Sequence, residues 1–175
     1  MQKALVFTVI LITILSLMVS CKDEESIIGQ TGPGGGLIFY DAGGEQTSTY
    51  TDKDGNTVEY TWRYLEAAPA DLSVQLSYTE AVTQCENYTT KVGSKVYDDW
   101  FLPNAFELNL MYENLAKAGM GSFKDLQYYW SRDKNKKEPE SEAQAIIFKI
   151  DYTAATLSKL PQTTLCNVRP IRAYL

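Results

Sequence analysis

The chain has 175 residues, with 16 lysines and arginines against 22 aspartates and glutamates, which gives a net charge of −6, and it contains no histidine. The absence of histidine excludes histidine-based acid–base catalysis, Ser-His-Asp and Cys-His nucleophile systems, and the usual zinc sites. The acidic charge disfavours nucleic acid, anionic lipid and polyanionic glycans as partners, because long-range electrostatic steering repels them.

The first 20 residues have the pattern of a secretory signal peptide. Lys3 precedes a largely apolar run, residues 4–19. This length suits the apolar region of a signal peptide better than a membrane span, which needs roughly 20 apolar residues. Residues 18–21 (MVSC) resemble the lipobox of bacterial lipoproteins, in which the cysteine is lipidated and becomes the new N-terminus. We therefore predict a signal peptide at residues 1–20 and a lipid anchor on Cys21 that holds the chain at a membrane. The alternative is an uncleaved N-terminal anchor.

The segment after the cysteine bears on localisation. Residues 21–30 are predicted to be an acidic tether, and a lysine followed by acidic residues resembles the surface-export signal of some Gram-negative lipoproteins. No aspartate follows Cys21 directly, which argues against retention at the inner membrane. We expect an outer-membrane lipoprotein exposed at the cell surface, with a periplasm-facing position as the alternative. Removing residues 1–20 removes one lysine and moves the net charge from −6 to −7.

The first part of the remaining chain is predicted to be rich in strands. The glycine-rich residues 29–36 lack the spacing and the lysine of a phosphate-binding loop, and they indicate a tight turn into a strand at residues 37–40 that Gly43 and Gly44 close. Alternating residues on both sides of Asp54-Gly55 predict a β-hairpin. Asp52, Asp54 and Asn56 mimic part of a calcium loop, but the closing glutamate is missing, so no metal is expected.

Two helices are predicted from capping boxes. Ser77 with Glu80 begins a helix at residues 78–88, with an apolar face of Ala81, Cys85 and Tyr88. Asn104 with Glu107 begins the second helix. Its apolar stripe consists of Leu108, Met111, Tyr112 and Leu115. Residues 100–102, just before this helix, are predicted to be an extended segment that enters the core.

The last third alternates strands with a charged loop. Residues 128–133 (YYWSRD) precede the lysine- and glutamate-rich loop at 134–142, and a strand follows at about 145–150. Pro170 in the final segment indicates an edge strand or a bulge. Cys85 and Cys166 remain once Cys21 is lipidated. Outside the cytoplasm a pair is more often bridged than free, so we expect a disulfide, with two buried free thiols as the alternative.

Six segments in order resemble a known bacterial family. They are GQTGPGGGLIFYDAGG, WRYLEAAPADLS, Ala81 to Cys85, DDWFLPNAFELNLMYENL, YYWS and VRPIRAYL. Together they are similar to the family of unknown function typified by the C-terminal domain of the Legionella collagen-like adhesin, and the resemblance covers residues 29–175. It implies a single α+β domain at residues 31–175 with a C-type-lectin-like or formylglycine-generating-enzyme-like fold, in which two short helices pack on small antiparallel sheets. It also implies that the N- and C-terminal strands pair, and that Cys85 bridges to Cys166.

The ligand of the typifying adhesin cannot be assigned to this chain from the resemblance. The typifying adhesin binds sulfated glycans, whereas this chain is acidic and has no collagen-like repeat. Its sequence also departs from the family after Ser131, where a lysine- and glutamate-rich loop follows and where aromatic positions of the next strand become residues 145–147 (AII).

Three functions follow as hypotheses. The first is a non-catalytic binding module for a glycan, a matrix protein or another envelope protein, with Tyr129, Trp130 and Arg132 as candidate ligand contacts; the alternative for the aromatic residues is a place in the core. The second is a purely structural envelope component, such as an oligomer subunit. The third, remote, is an enzyme that uses Asp98, Asp99 or Glu107 in acid–base chemistry. No cofactor is expected.

Overall fold

The computed structural model describes residues 26–134, 141–150 and 155–175. The predicted signal peptide, Cys21 and the central part of the charged loop lie outside these residues. The strands are β1 (Leu37–Thr51), β2 (Thr57–Ala67), β3 (Thr90–Val92), β4 (Lys95–Tyr97), β5 (Gln127–Lys134), β6 (Glu142–Phe148), β7 (Thr156–Pro161) and β8 (Ile171–Tyr174). The helices are α1 (Tyr78–Glu86) and α2 (Ala105–Met111), and α2 continues into a π-helical segment, Tyr112–Ala116.

The strands form three small antiparallel sheets, with the orders β1-β2-β8, β3-β4 and β5-β6-β7. The α+β class is therefore confirmed. The predicted pairing of the N- and C-terminal strands is wrong in detail, because β2 lies between β1 and β8. The final strand pairs with β2 from Tyr64↔Tyr174 to Ala67↔Ile171. It lies at an edge of the described sheet, as Pro170 just before it predicts.

The hairpin of β1 and β2 is confirmed, but β1 is longer than predicted. Gly43 and Gly44 do not close it; the strand continues to Thr51 through an irregularity between Asp41 and Gln46. Gly43 has φ = +71°, and nothing lies near the position that a Cβ would take there. The glycines therefore allow the strand to bend instead of ending it.

Both capping boxes are present. The Glu80 carboxylate accepts from the Ser77 N–H at 3.0 Å, and Glu107 accepts from the Asn104 N–H at 2.7 Å while Asn104 accepts from the Glu107 N–H at 2.8 Å. Helix α1 ends at Glu86, two residues earlier than predicted. Among the described residues, no helix is long and apolar enough to cross a membrane.

Two buried clusters form the core. The larger one contains the predicted stripe of α2 and the π-helical segment; its members include Phe39, Leu65, Phe101, Leu108, Met111, Tyr112, Leu115, Tyr129, Phe148 and Ile171. The second lies between α1 and the sheet of β5 and β6; its members include Tyr78, Ala81, Cys85, Leu102, Trp130, Cys166 and Val168. The extended segment at residues 100–102 is buried, as predicted, and it links the two clusters.

The glycine-rich loop is a structural turn that closes on a buried carboxylate. Glu66 accepts from the Gly34 N–H at 3.1 Å and from the Gly36 N–H at 2.7 Å, and Arg172 donates to the same carboxylate at 3.1 Å. A Cβ at residue 36 would collide with the Ala67 carbonyl oxygen, so this position requires glycine. At the end of the predicted tether, the Gly29 N–H donates to the Ile38 carbonyl oxygen of β1 at 2.8 Å.

Candidate functional site

A pocket of about 320 Å³ lies between the tip of the β1–β2 hairpin, helix α1 and the end of β5. Three elements that are distant in sequence therefore meet there. Its lining residues are Thr51, Asp52, Lys53, Tyr78, Thr79, Val82, Thr83, Arg132 and Lys134. The volume lies at the small end of the roughly 300–1,000 Å³ typical of ligand pockets, which suits a small ligand or the end of a longer chain.

The Asp52 carboxylate organises the hairpin tip through hydrogen bonds. Asp52 accepts from the N–H groups of Asp54 at 3.0 Å and Asn56 at 2.7 Å, and from the Asn56 side-chain amide at 3.1 Å. The bonds from Asn56 and Asp54 lower the pKa of this carboxyl below its ordinary value. These residues, which mimic a calcium loop in sequence, are thus used by the turn itself, and the described residues contain no group of acidic or cysteine side chains suited to a metal ion.

The hairpin tip is also tied to helix α1. The Lys53 N–H donates to both carboxylate oxygens of Glu86 at 3.0 Å, and the Lys53 ammonium pairs with Asp54 at 2.8 Å. Because the Lys53 backbone is held by the end of α1, the two walls of the pocket are fixed relative to each other.

Arg132 forms the floor of the pocket. Its guanidinium lies 5.2 Å from the ring centre of Tyr50 and 5.1 Å from that of Phe101, within the range of cation–π attraction. It reaches Tyr60 Oη at 3.3 Å and Glu107 at 3.4 Å, both long for hydrogen bonds. The side chain is 12 % exposed. The guanidinium is therefore held by aromatic rings and by a carboxylate behind it.

Glu107 supports Arg132 from the protein interior. Burial raises the pKa of this carboxyl, while Arg132 and the hydrogen bonds from Asn104 N–H and Tyr60 Oη oppose that rise. Its oxygens are occupied by the helix cap, by Tyr60 and by Arg132. Glu107 therefore positions other groups and is not free to meet a ligand.

Tyr78 and Lys134 form one side of the pocket. Lys134 Nζ lies 5.6 Å from the ring centre of Tyr78, and Tyr78 donates its hydroxyl proton to the Arg132 carbonyl oxygen at 2.6 Å. Burial raises the pKa of Tyr78 to about 12, so the hydroxyl stays protonated at neutral pH. Among the described residues Lys134 has no carboxylate partner within ion-pair distance.

Two of the three predicted contact residues are not available to a ligand. Tyr129 and Trp130 are both 0 % exposed. Tyr129 packs against Phe148 with ring centres 4.4 Å apart, and the Trp130 indole N–H donates to the Leu76 carbonyl oxygen at 2.8 Å. Both rings are enclosed, so the structure places them in the core, which is the alternative to a ligand contact, and of the three candidates only Arg132 lines the pocket.

The predicted disulfide is not formed in the structure. Cys85 and Cys166 are both buried and free, and they belong to the same core cluster. Burial raises the pKa of the Cys166 thiol to about 12 and raises that of Cys85 well above its ordinary value. The structure thus corresponds to the alternative of two buried thiols, which at neutral pH are protonated and weakly nucleophilic.

The carboxylates considered for catalysis have different surroundings. Asp99 is paired with Arg172 at 2.7 Å, Asp98 is exposed, and Glu107 is buried beside Arg132.

Apart from Asp52 and Arg132, the residues that line the pocket carry no local signal in the sequence. Thr51 and Thr79, for example, lie on a hairpin tip and on the outer face of a capping turn, where polar residues are ordinary. Their meeting depends on how the hairpin packs beside α1, which no short-range pattern encodes.

In comparisons with known proteins, no family model and no curated protein matches the chain.

Proposed function

We propose that the chain is an envelope lipoprotein, anchored through Cys21 and exposed at the cell surface, whose folded part is a non-catalytic binding module of the C-type-lectin-like kind. Membership in the family typified by the collagen-like adhesin domain is part of this proposal and rests on the six sequence segments. The signal-peptide pattern and the residues after Cys21 support the location. The ligand is a glycan, a matrix protein or another envelope protein.

The observation that carries the binding role is the pocket between the hairpin tip, α1 and β5. Its walls are joined by the contact of Lys53 with Glu86, and Arg132 lines its floor. A concave site with a few placed polar groups is a common form of ligand pocket.

The binding role is tested with the full-length protein, extracted from the envelope in detergent, on an array of glycans and matrix proteins with calcium and with a chelator. We expect a saturable signal that does not need calcium. Thr79→Trp fills the pocket from helix α1 and should abolish the signal. Gln84→Trp, at another exposed position of the same helix and outside the lining, should retain it. Equal signals from both variants would contradict the pocket as the site.

The anchor is tested separately by Cys21→Ala. We expect the variant to lose incorporation of a labelled fatty acid and to leave the outer-membrane fraction, because both depend on the cysteine sulfur and its new N-terminus. Protease treatment of intact cells distinguishes the two orientations: a surface-exposed domain is accessible, and a periplasm-facing one is protected.

A structural role is the second candidate. Among the described residues β1 and β7 lie at sheet edges, and residues 29–31 bond to β1 only at its beginning, near Leu37 and Ile38; a strand edge without a partner can pair with another chain. No signal on the array, together with a stable oligomer of the detergent-extracted protein, would move the assignment to this role.

A further inference from the structure

Both positive and negative side chains lie in the lining of the pocket and directly beside it. Three cations line it, Lys53, Arg132 and Lys134. Asp52 lines it as well, Asp54 pairs with Lys53, and Glu107 pairs with Arg132. Glu86 and Asp133 lie next, since Glu86 accepts from the Lys53 N–H and Asp133 follows Arg132 and accepts from Ala105 N–H. The lining itself thus holds three cations and one carboxylate, and with the four neighbouring carboxylates included, five carboxylates stand against three cations.

This balance argues against a polyanion. A sulfated or multiply carboxylated ligand releases counterions and gains affinity only where cations are in excess. Residues 135–140, which follow Lys134 in the sequence, contain two lysines and two glutamates and so add no net formal charge. The local surroundings thus agree with the net charge of −6 for the whole chain.

The lining offers donors and acceptors side by side. Lys134 supplies ammonium hydrogens, and the long contacts of Arg132 leave guanidinium hydrogens unused. Asp52 supplies an acceptor at Oδ2, which takes one bond from the Asn56 amide, whereas Oδ1 already takes two bonds from the turn. The hydroxyls of Thr51 and Thr79 form no hydrogen bond to the described residues, and a hydroxyl both donates and accepts.

A hydroxyl-rich ligand matches this mixture. Each sugar hydroxyl donates one proton and accepts at its oxygen, so it pairs with a carboxylate and with a cation alike. A carboxylate or sulfate only accepts, and it would be repelled by Asp52. Val82 and the aliphatic part of Lys134 offer a modest apolar surface for the carbon face of a sugar ring.

We infer that the pocket takes an uncharged, hydroxyl-rich glycan, held between Asp52 on the hairpin tip and Arg132 and Lys134 on β5. This inference rests on the proposed function and gives it a ligand class, which differs from that of the adhesin that typifies the resembling family.

The test is calorimetric titration of the full-length protein in detergent. The uncharged probes are lactose, chitobiose and mannobiose, and the charged probes are sialyllactose and a heparin hexasaccharide. We expect binding of at least one uncharged probe, with a Kd that changes less than about twofold between about 0.05 M and about 0.5 M NaCl, because no charge pair is formed across the interface.

The substitution Asp52→Asn should change the affinity for uncharged and for anionic ligands in opposite directions. The asparagine keeps an oxygen for the turn but loses a charged acceptor, so binding of the uncharged probe should weaken by about tenfold. An anionic ligand would bind more tightly to the same variant, since a repulsion is removed. Glu59→Gln, an exposed carboxylate change outside the lining, is the matched control and should leave the Kd unchanged.

Three results are distinguishable. Salt-resistant binding of an uncharged probe that Asp52→Asn weakens supports the inference. Binding of a charged probe that falls about tenfold or more with salt and strengthens in Asp52→Asn overturns it, while the binding role of the pocket stands. Failure of every oligosaccharide also overturns it, and the protein arm of the array then decides whether the proposed function survives.

Discussion

Arg172 in the last strand and Glu66 in the second strand form a buried ion pair, with 3.1 Å between Nη1 and Oε2 and with side chains 6 % and 0 % exposed. Glu66 also accepts from the N–H groups of Gly34 and Gly36, and Arg172 also pairs with Asp99. One guanidinium and one carboxylate thus join the glycine-rich loop, the central strand of the first sheet and the C-terminal strand.

This pair predicts an unequal response to two arginine substitutions. Arg172→Met leaves Glu66 without its charge partner inside the protein, and the free energy of unfolding should fall by about 3–5 kcal/mol in urea denaturation. Arg63→Met removes the partly exposed pair with Asp41, 2.8 Å apart, and should cost less than about 1 kcal/mol. Similar losses for the two variants would contradict the burial of the Arg172 pair.

The glycine-rich loop predicts a second contrast. Gly36→Ala places a methyl group against the Ala67 carbonyl oxygen, so the backbone must shift, and we expect a loss of about 1–3 kcal/mol or more. Gly44→Ala meets no atom within 4 Å and has no positive φ, so thermal unfolding should show little change or a small gain. A tolerant Gly36 would mean that the loop is more loosely packed than described.

The two capping glutamates predict opposite pH dependences. Burial raises the pKa of Glu107, so its contribution to stability is fully present below about pH 4.5 and is lost as the pH rises through its pKa in the folded state. The bonds from Ser77 lower the pKa of Glu80, so its contribution is present above its ordinary range and is lost as the pH falls through its pKa in the folded state.

Urea unfolding of the parent, Glu107→Gln and Glu80→Gln across acidic to neutral pH measures this difference. Relative to Glu107→Gln, the parent should lose stability as the pH rises. Relative to Glu80→Gln, it should gain stability. Slopes of the same sign would show that Glu107 is not desolvated as the structure describes.

The free cysteines predict a thiol count. In a Cys21→Ala background, without reductant, two thiols should react with a maleimide after unfolding, and neither should react rapidly in the folded protein because both are buried with a raised pKa. A Cys85→Ala variant should show one. If the unfolded Cys21→Ala protein, with Cys85 and Cys166 both present, showed no reactive thiol, this would instead establish the Cys85–Cys166 bridge that the family resemblance implies.

Short-range patterns in the sequence determined the local elements. The capping boxes at Ser77 and Asn104 and the Asp54-Gly55 turn involve groups within a few residues of one another, so their hydrogen bonds follow from spacing alone. The burial of the stripe from Leu108 to Leu115 could also be predicted from the sequence, because apolar residues at helical spacing form one face that packs on a core.

Only the tertiary structure decided which elements meet. It placed β2 between β1 and β8, closed the glycine-rich loop on Glu66, and enclosed Trp130 while leaving Arg132 at the pocket beside Asp52. The contact of Gly36 with Glu66 spans 30 positions in the sequence and that of Glu66 with Arg172 spans 106, and both depend on the combined packing of several elements. A tyrosine–tryptophan–serine–arginine run has the same local pattern whether its rings face the core or the solvent. In the folded chain the two rings lie in the core, because burying aromatic surface stabilises the fold. The Arg132 guanidinium lies at the pocket, because a buried charge must keep polar or aromatic partners.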